Sequence, residues 1–305
     1  MGAQLGHLLE VEERTAGRPY WSMAAGALCV SASAVLIDLS RTSPGTASFY
    51  RCLFALPLLY PFWWAERRAE GPLPRRQHGV ALVAGALFAG DMLLWTRAIA
   101  EVGAGLSTVL VNVQVILVPL LAYAIDREPL ARRFLAALPV LVLGVVLTAG
   151  LVEGGAAGTD PVAGTIHAVL AAVCYSLFLY LLRRGGHQGH IVQSYTEVIL
   201  AAAVVSLVAG ALWRGVTLAP GWAALGWLFA VSVFGQVLGW LLVALSSHRL
   251  ASDVGATLLL LTPVGAVALG ALVLGERPSV WQLAGCVLIL GAGWWATTRR
   301  SAPSS

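Results

Sequence analysis

Apolar residues run through this chain in blocks of about twenty, and polar residues collect in the short gaps between them. Each block is long enough to cross a hydrocarbon layer as a helix, which needs about 20 residues. The pattern predicts helices over 21–40, 45–65, 78–98, 103–123, 134–151, 161–182, 191–213, 221–244, 254–274 and 279–298. Clusters of Gly, Pro and Arg separate most of them, for example EGPLPRR at 70–76 and GGAAGTDP at 154–161. The expected fold class is therefore an all-α polytopic membrane protein of ten transmembrane helices.

The blocks repeat. Residues 97–130 (RAIAEVGAGLSTVLVNVQVILVPLLAYAIDREPL) line up without a gap on 245–278 (LSSHRLASDVGATLLLLTPVGAVALGALVLGERP), with Glu128 set against Glu276. Weaker matches relate 28–41 to 170–183 and 47–59 to 193–205, the second placing Arg51 opposite Glu197. A duplication of five spans turns the second copy upside down. Inverted repeats are the architecture of secondary transporters, whose substrate site lies where the halves meet near mid-membrane. The chain thus divides into a cytoplasmic N-terminal segment (1–20), a first five-helix repeat (21–151), a second (161–298) and a cytoplasmic tail (299–305).

Composition supports a membrane protein. The chain is 58% hydrophobic and 11% charged, against about 25% charged in soluble domains. So few charges cannot cover a water-exposed surface. The 33 glycines suit helices whose backbones approach closely. All 19 basic residues are Arg. With the N-terminus inside, 14 fall on the inner side, 4 on the outer side (Arg41, Arg97, Arg214, Arg277) and one, Arg51, within a span. The positive-inside rule then places both termini in the cytoplasm. Spread over short loops, the basic residues are no nucleic-acid signal. Cys29, Cys52, Cys174 and Cys286 fall inside spans and read as small apolar packing residues. No cleavable signal is visible, so the first span is expected to direct insertion itself.

The stretch from Pro263 through LGERPSVWQLAGCVLILGAG, with its counterpart DREPLARRFLAALPVLVLG in the first half, resembles the closing helix pair of EamA-type carriers of the drug/metabolite transporter superfamily. The resemblance runs from about residue 21 to 298. It implies a ten-span carrier of two five-span repeats in a bacterial-type plasma membrane, exporting amino acids, aromatic compounds or related metabolites, with importers among its members. One departure is visible: the position of Pro263 is Val115 in the first half, and Pro119 follows four residues later. The kink in the fourth helix is expected to be displaced.

Ionisable groups inside spans are costly and face a cavity or a partner. Arg51 and Asp91 are each expected about 9–10 Å below the outer ends of their helices, at 1.5 Å per residue. They read either as a structural ion pair at one level or as a site in which Arg51 grips a substrate carboxylate. Glu197 holds the inverted position on the inner side with no basic residue obvious at its level. With Asp91 it is the candidate for proton coupling; the plainer reading aims it at the vestibule or at Arg183. Asp91 and Trp95 share a helix face, and Gln236 and Trp240 repeat that spacing. Asn112, Gln114, Tyr175 and Ser176 complete the candidates for the cavity wall.

No phosphate-binding loop and no metal-spaced His/Cys/Asp cluster occurs. No cofactor is implied, and lone histidines such as His78 and His167 carry no chemistry of their own. The expected partners are a small-molecule substrate and membrane lipid. The expected function is secondary-active transport by alternating access, most simply export. Import on the same fold and an intramembrane enzyme are the alternatives, and the second would need a catalytic polar cluster that the spans do not supply.

Overall fold

The computed structural model of the chain describes residues 18–127, 132–149, 159–185, 190–240, 242–243 and 258–297. Among them there is no strand. The helices are α1 (Arg18–Ser40), α2 (Pro44–Glu70), α3 (Arg75–Val102), α4 (Ala104–Asp126), α5 (Arg132–Thr148), α6 (Pro161–Gly185), α7 (Ile191–Trp213), α8 (Trp222–Gly239), α9 (Leu261–Leu274) and α10 (Val280–Thr297). Six of them (α1 from Tyr20, α3, α4, α6, α7 and α8) are long and apolar enough to cross a membrane, and α5, α9 and α10 contain shorter apolar helices. α2 is long enough, at 27 residues, but Arg51, Pro57, Pro61 and a charged last turn set its composition apart.

Local sequence explains the boundaries. Ser43 caps α2 by accepting the Thr46 N–H, Pro44 occupies the first helical position, and Gly71 ends the helix at φ 83°. A proline fits there because its missing N–H would have had no helical partner. Three helices are interrupted. α4 turns at Asn112–Val113, seven residues before Pro119, where the Asn112 amide donates to the Thr108 carbonyl at 2.9 Å. The break thus falls at an asparagine, ahead of the proline. In the second half, α8 changes to a π-helix over Ser232–Gly239 and α9 over Gly270–Leu274. Such segments are rare and concentrate at functional sites.

Helices of the two halves interlock. α2 packs on α7, α3 on α6 and α7, and α5 on α10. Glycine makes the closest of these contacts possible: a Cβ on Gly45 would come within 2.8 Å of the Gly210 Cα. One end of the bundle, here the distal end, carries the turns at 41–43, 103, 214–221 and 275–279. There Ser43 Oγ donates to the Gly215 carbonyl, Tyr50 to the Leu218 carbonyl and the Thr217 N–H to Thr46. At the proximal end Glu66 accepts the N–H groups of Val192 and Gln193, so a carboxylate from α2 caps the first turn of α7. That placement also complements the positive end of the helix dipole.

Glu276, which fixed the repeat alignment, has a comparable task at the distal end. Its two carboxylate oxygens accept the N–H groups of Ala104 (2.5 Å) and Gly105 (3.0 Å) at the start of α4. Gly103, at φ 93°, leaves the room: a Cβ there would lie 2.8 Å from Glu276 Oε1. Its sequence counterpart Glu128 lies outside the described residues.

Candidate functional site

A cavity of about 350 Å³ opens among α1, α2, α3, α4, α6, α8 and α9, within the size range of small-molecule sites. Seven of the nine residues expected on its wall line it: Arg51, Asp91, Trp95, Asn112, Gln114, Tyr175 and Trp240. Ser33, Thr108 and Thr262 add polar groups that the sequence reading did not single out.

Gln236 and Ser176 are the exceptions. Gln236 is fully buried, its Nε2 contacts the Met92 sulfur at 3.6 Å, and it is absent from the lining. The four-residue spacing to Trp240 assumed an α-helix. The π-helix replaces i→i+4 bonding by i→i+5, so the two side chains no longer share a face. Ser176 also turns away, donating to the Ala172 carbonyl on its own helix.

Arg51 and Asp91 meet the same cavity but do not pair. The ion pairs among the described residues are His78–Glu197, Arg97–Glu101 and His167–Glu101. The expected common level fails because α3 runs on to Val102, four residues past the predicted end. Asp91 is then about 16 Å from the distal end of its helix and Arg51 about 10 Å, one helical turn apart. Trp95, one turn beyond Asp91, is the residue at the level of Arg51. The guanidinium accordingly lies over the Trp95 ring at 5.6 Å, a cation–π contact.

This arrangement leaves strong hydrogen-bonding groups unused. Arg51 is 5% exposed, yet its Nε and Nη1 have no hydrogen-bond partner among the described residues. The same holds for Asp91 Oδ1, Trp95 Nε1 and Gln114 Oε1. A buried guanidinium whose N–H groups are left unpartnered is costly, and Asp91 lines the same cavity without forming an ion pair with it. Phe88, Tyr175 and Trp240 form the apolar part of the wall, extended by Phe178 stacked on Phe88 at 4.6 Å and Tyr195 against Trp240 at 5.8 Å. Donors thus gather around Arg51 and Trp95, acceptors one turn deeper, and aromatic rings alongside.

Glu197 sits elsewhere. Its Oε2 lies 2.7 Å from His78 Nδ1, across the α3–α7 contact, and it does not line the cavity. Sequence spacing missed that partner because the two residues are 119 positions apart. His167 likewise binds Glu101 at 2.6 Å. Both histidines read from sequence as inert in fact pin α3 to its neighbours, one at each end. No group of His, Cys, Asp or Glu among the described residues could hold a metal ion.

The model of the EamA-like transporter family matches residues 18–150 and again residues 162–298. The chain belongs to the EamA-like transporter family. The double match coincides with the two halves seen in sequence, and it makes this membrane protein a transporter of the drug/metabolite class. No curated protein matches the chain. Among solved structures, one described only as the crystal structure of a protein is similar over 92% of this chain and 96% of its own, with 18% identity and a TM-score of 0.59. At that identity the likeness concerns the fold.

Proposed function

We propose that this EamA-like protein is a secondary-active exporter of small organic metabolites that carry a carboxylate, such as amino acids or aromatic acids. The observation that carries this reading is Arg51, a buried guanidinium with two unpartnered N–H groups facing a cavity walled by aromatic rings. A carboxylate accepts from a guanidinium in a fork geometry that a lysine cannot reproduce. The unpartnered Asp91 Oδ1, one turn deeper, suits an ammonium on the same ligand or a transported proton.

Ten spans in two inverted repeats, in a bacterial-type plasma membrane with cytoplasmic termini, complete the proposal. The Arg distribution supports that orientation and makes the proximal end cytoplasmic. Alternating access would exchange the cross-repeat contacts of the distal end, such as Glu276 with Ala104, for those of the proximal end, such as His78 with Glu197.

A thermal-shift series on purified protein tests the ligand chemistry, because a ligand bound to the folded state stabilises it by mass action. Aromatic amino acids should raise Tm, while their methyl esters and the matching amines should not. Arg51→Gln should abolish the shift. Equal shifts for acid and ester would refute the carboxylate reading.

A further inference from the structure

The hairpin joining α2 and α3 carries four arginines in ten residues: Arg67 and Arg68 in the last turn of α2, Arg75 and Arg76 in the first turn of α3. All four are exposed. Two acidic residues lie on the same turns, but both are committed elsewhere. Glu66 accepts from Val192 and Gln193, and Glu70 accepts the His190 N–H at 2.7 Å. None of the four arginines has an ion-pair partner among the described residues.

The position of Arg75 and Arg76 is unfavourable as it stands. A helix N-terminus carries partial positive charge and prefers acidic residues. α3 has no acidic residue in its first turn, and Pro74 supplies no side-chain cap. Two guanidinia therefore crowd a positive, uncapped helix end, with two more across a four-residue turn. An anion placed there would settle all of these groups together.

The other half of the surface fixes which anion. Arg68 lies 3.6 Å over the Trp64 ring and Arg67 5.2 Å over Trp63, which stacks on Tyr60 at 5.7 Å. Tyr60, Phe62 and Trp64 are exposed on the helix just above. Aromatic residues collect where the hydrocarbon layer meets the headgroups. Guanidinia placed against rings at such a boundary would stand at headgroup level, where their N–H groups can donate to a phosphate.

We propose that the Trp63–Arg76 hairpin is a binding site for an anionic phospholipid, its phosphate held by Arg67, Arg68, Arg75 and Arg76 and its acyl chains laid along Tyr60 and Trp64, which share a helix face. The site would fasten the hairpin whose two helices present Arg51, Asp91 and Trp95 to the cavity. Because α2 also caps α7 there, the lipid would brace the contact between the halves.

The test is lipid titration of delipidated, full-length protein in a neutral detergent, read by native mass spectrometry and Tm. Phosphatidylglycerol should bind at least ten-fold more tightly than phosphatidylcholine and raise Tm, while inorganic phosphate at millimolar concentration should do neither. Arg75→Gln with Arg76→Gln should lower phosphatidylglycerol affinity ten-fold or more. Removing the same charge at Arg299 and Arg300 should leave it unchanged. If the double substitution does not fold, Arg76→Gln alone should still cost about three-fold. Equal retention of the two lipids, undiminished binding by the variants, or the same stabilisation by free phosphate would each overturn the assignment.

Discussion

Replacing Glu276 tests whether the repeat-defining glutamate is a strap between the two halves. Its carboxylate accepts two backbone N–H groups of α4, at 2.5 and 3.0 Å, from a chain segment 172 residues away. Losing a helix cap costs about 0.5–2 kcal/mol, and hydrogen bonds to a charged group contribute about 1.5–3 kcal/mol each where water is excluded. Glu276 is half-buried, so the lower figures apply. Glu276→Gln keeps one acceptor oxygen and should cost about 1 kcal/mol; Glu276→Ala orphans both donors and should cost about 2–3 kcal/mol. With roughly 2–4 °C per kcal/mol for a chain of this size, Tm in detergent should fall by about 2–4 °C and about 4–12 °C. A double-mutant cycle sharpens the test. A Cβ on Gly270 would collide with Glu276 Oε2, so Gly270→Ala should destabilise the native protein but cost little in the Glu276→Ala background. Such non-additivity is the signature of contact. A Glu276→Ala shift below about 1 °C, or strictly additive costs, would refute the strap.

Three further outcomes follow from the packing and the cavity. Gly210→Leu should lower Tm by several degrees in thermal melts, because its Cβ would meet the Gly45 backbone at 2.5 Å and a backbone cannot yield as a side chain does. Asp91→Asn should abolish the response of transport to an imposed pH gradient, whereas Glu197→Gln, whose carboxylate faces His78 outside the cavity, should retain it. Vesicle flux with and without the gradient distinguishes them. Trp95→Leu removes the ring under the Arg51 guanidinium; it should weaken carboxylate binding by about five-fold, as a cation–π contact of about 1 kcal/mol implies, and leave Tm nearly unchanged.

The architecture was largely legible, because hydrophobic blocks and a gapless repeat are long-range signals in the chain itself. Part of the cavity wall was legible for a related reason: charged and amide side chains inside apolar helices are few, and Arg51, Asp91, Asn112 and Gln114 all line the cavity. What failed to show was register. A four-residue error at the end of α3 put Asp91 level with Arg51, when the true partner at that level is Trp95. The π-helix in α8 defeated the Gln236–Trp240 spacing, since no residue type announces that turn. Pairs such as His78–Glu197 and His167–Glu101 were invisible because helix-to-helix contacts have no local spacing. Glu276 was found as an alignment anchor, but its role as a cap needed the other half in place.

Counterflow in proteoliposomes tests the central claim most directly. Vesicles containing the protein are loaded with unlabelled aromatic amino acid at millimolar concentration and diluted into trace labelled amino acid. An alternating-access carrier should show uptake several-fold faster than in unloaded vesicles, with a transient overshoot that Arg51→Gln abolishes. Uptake that ignores internal substrate, does not saturate and survives Arg51→Gln would contradict the account.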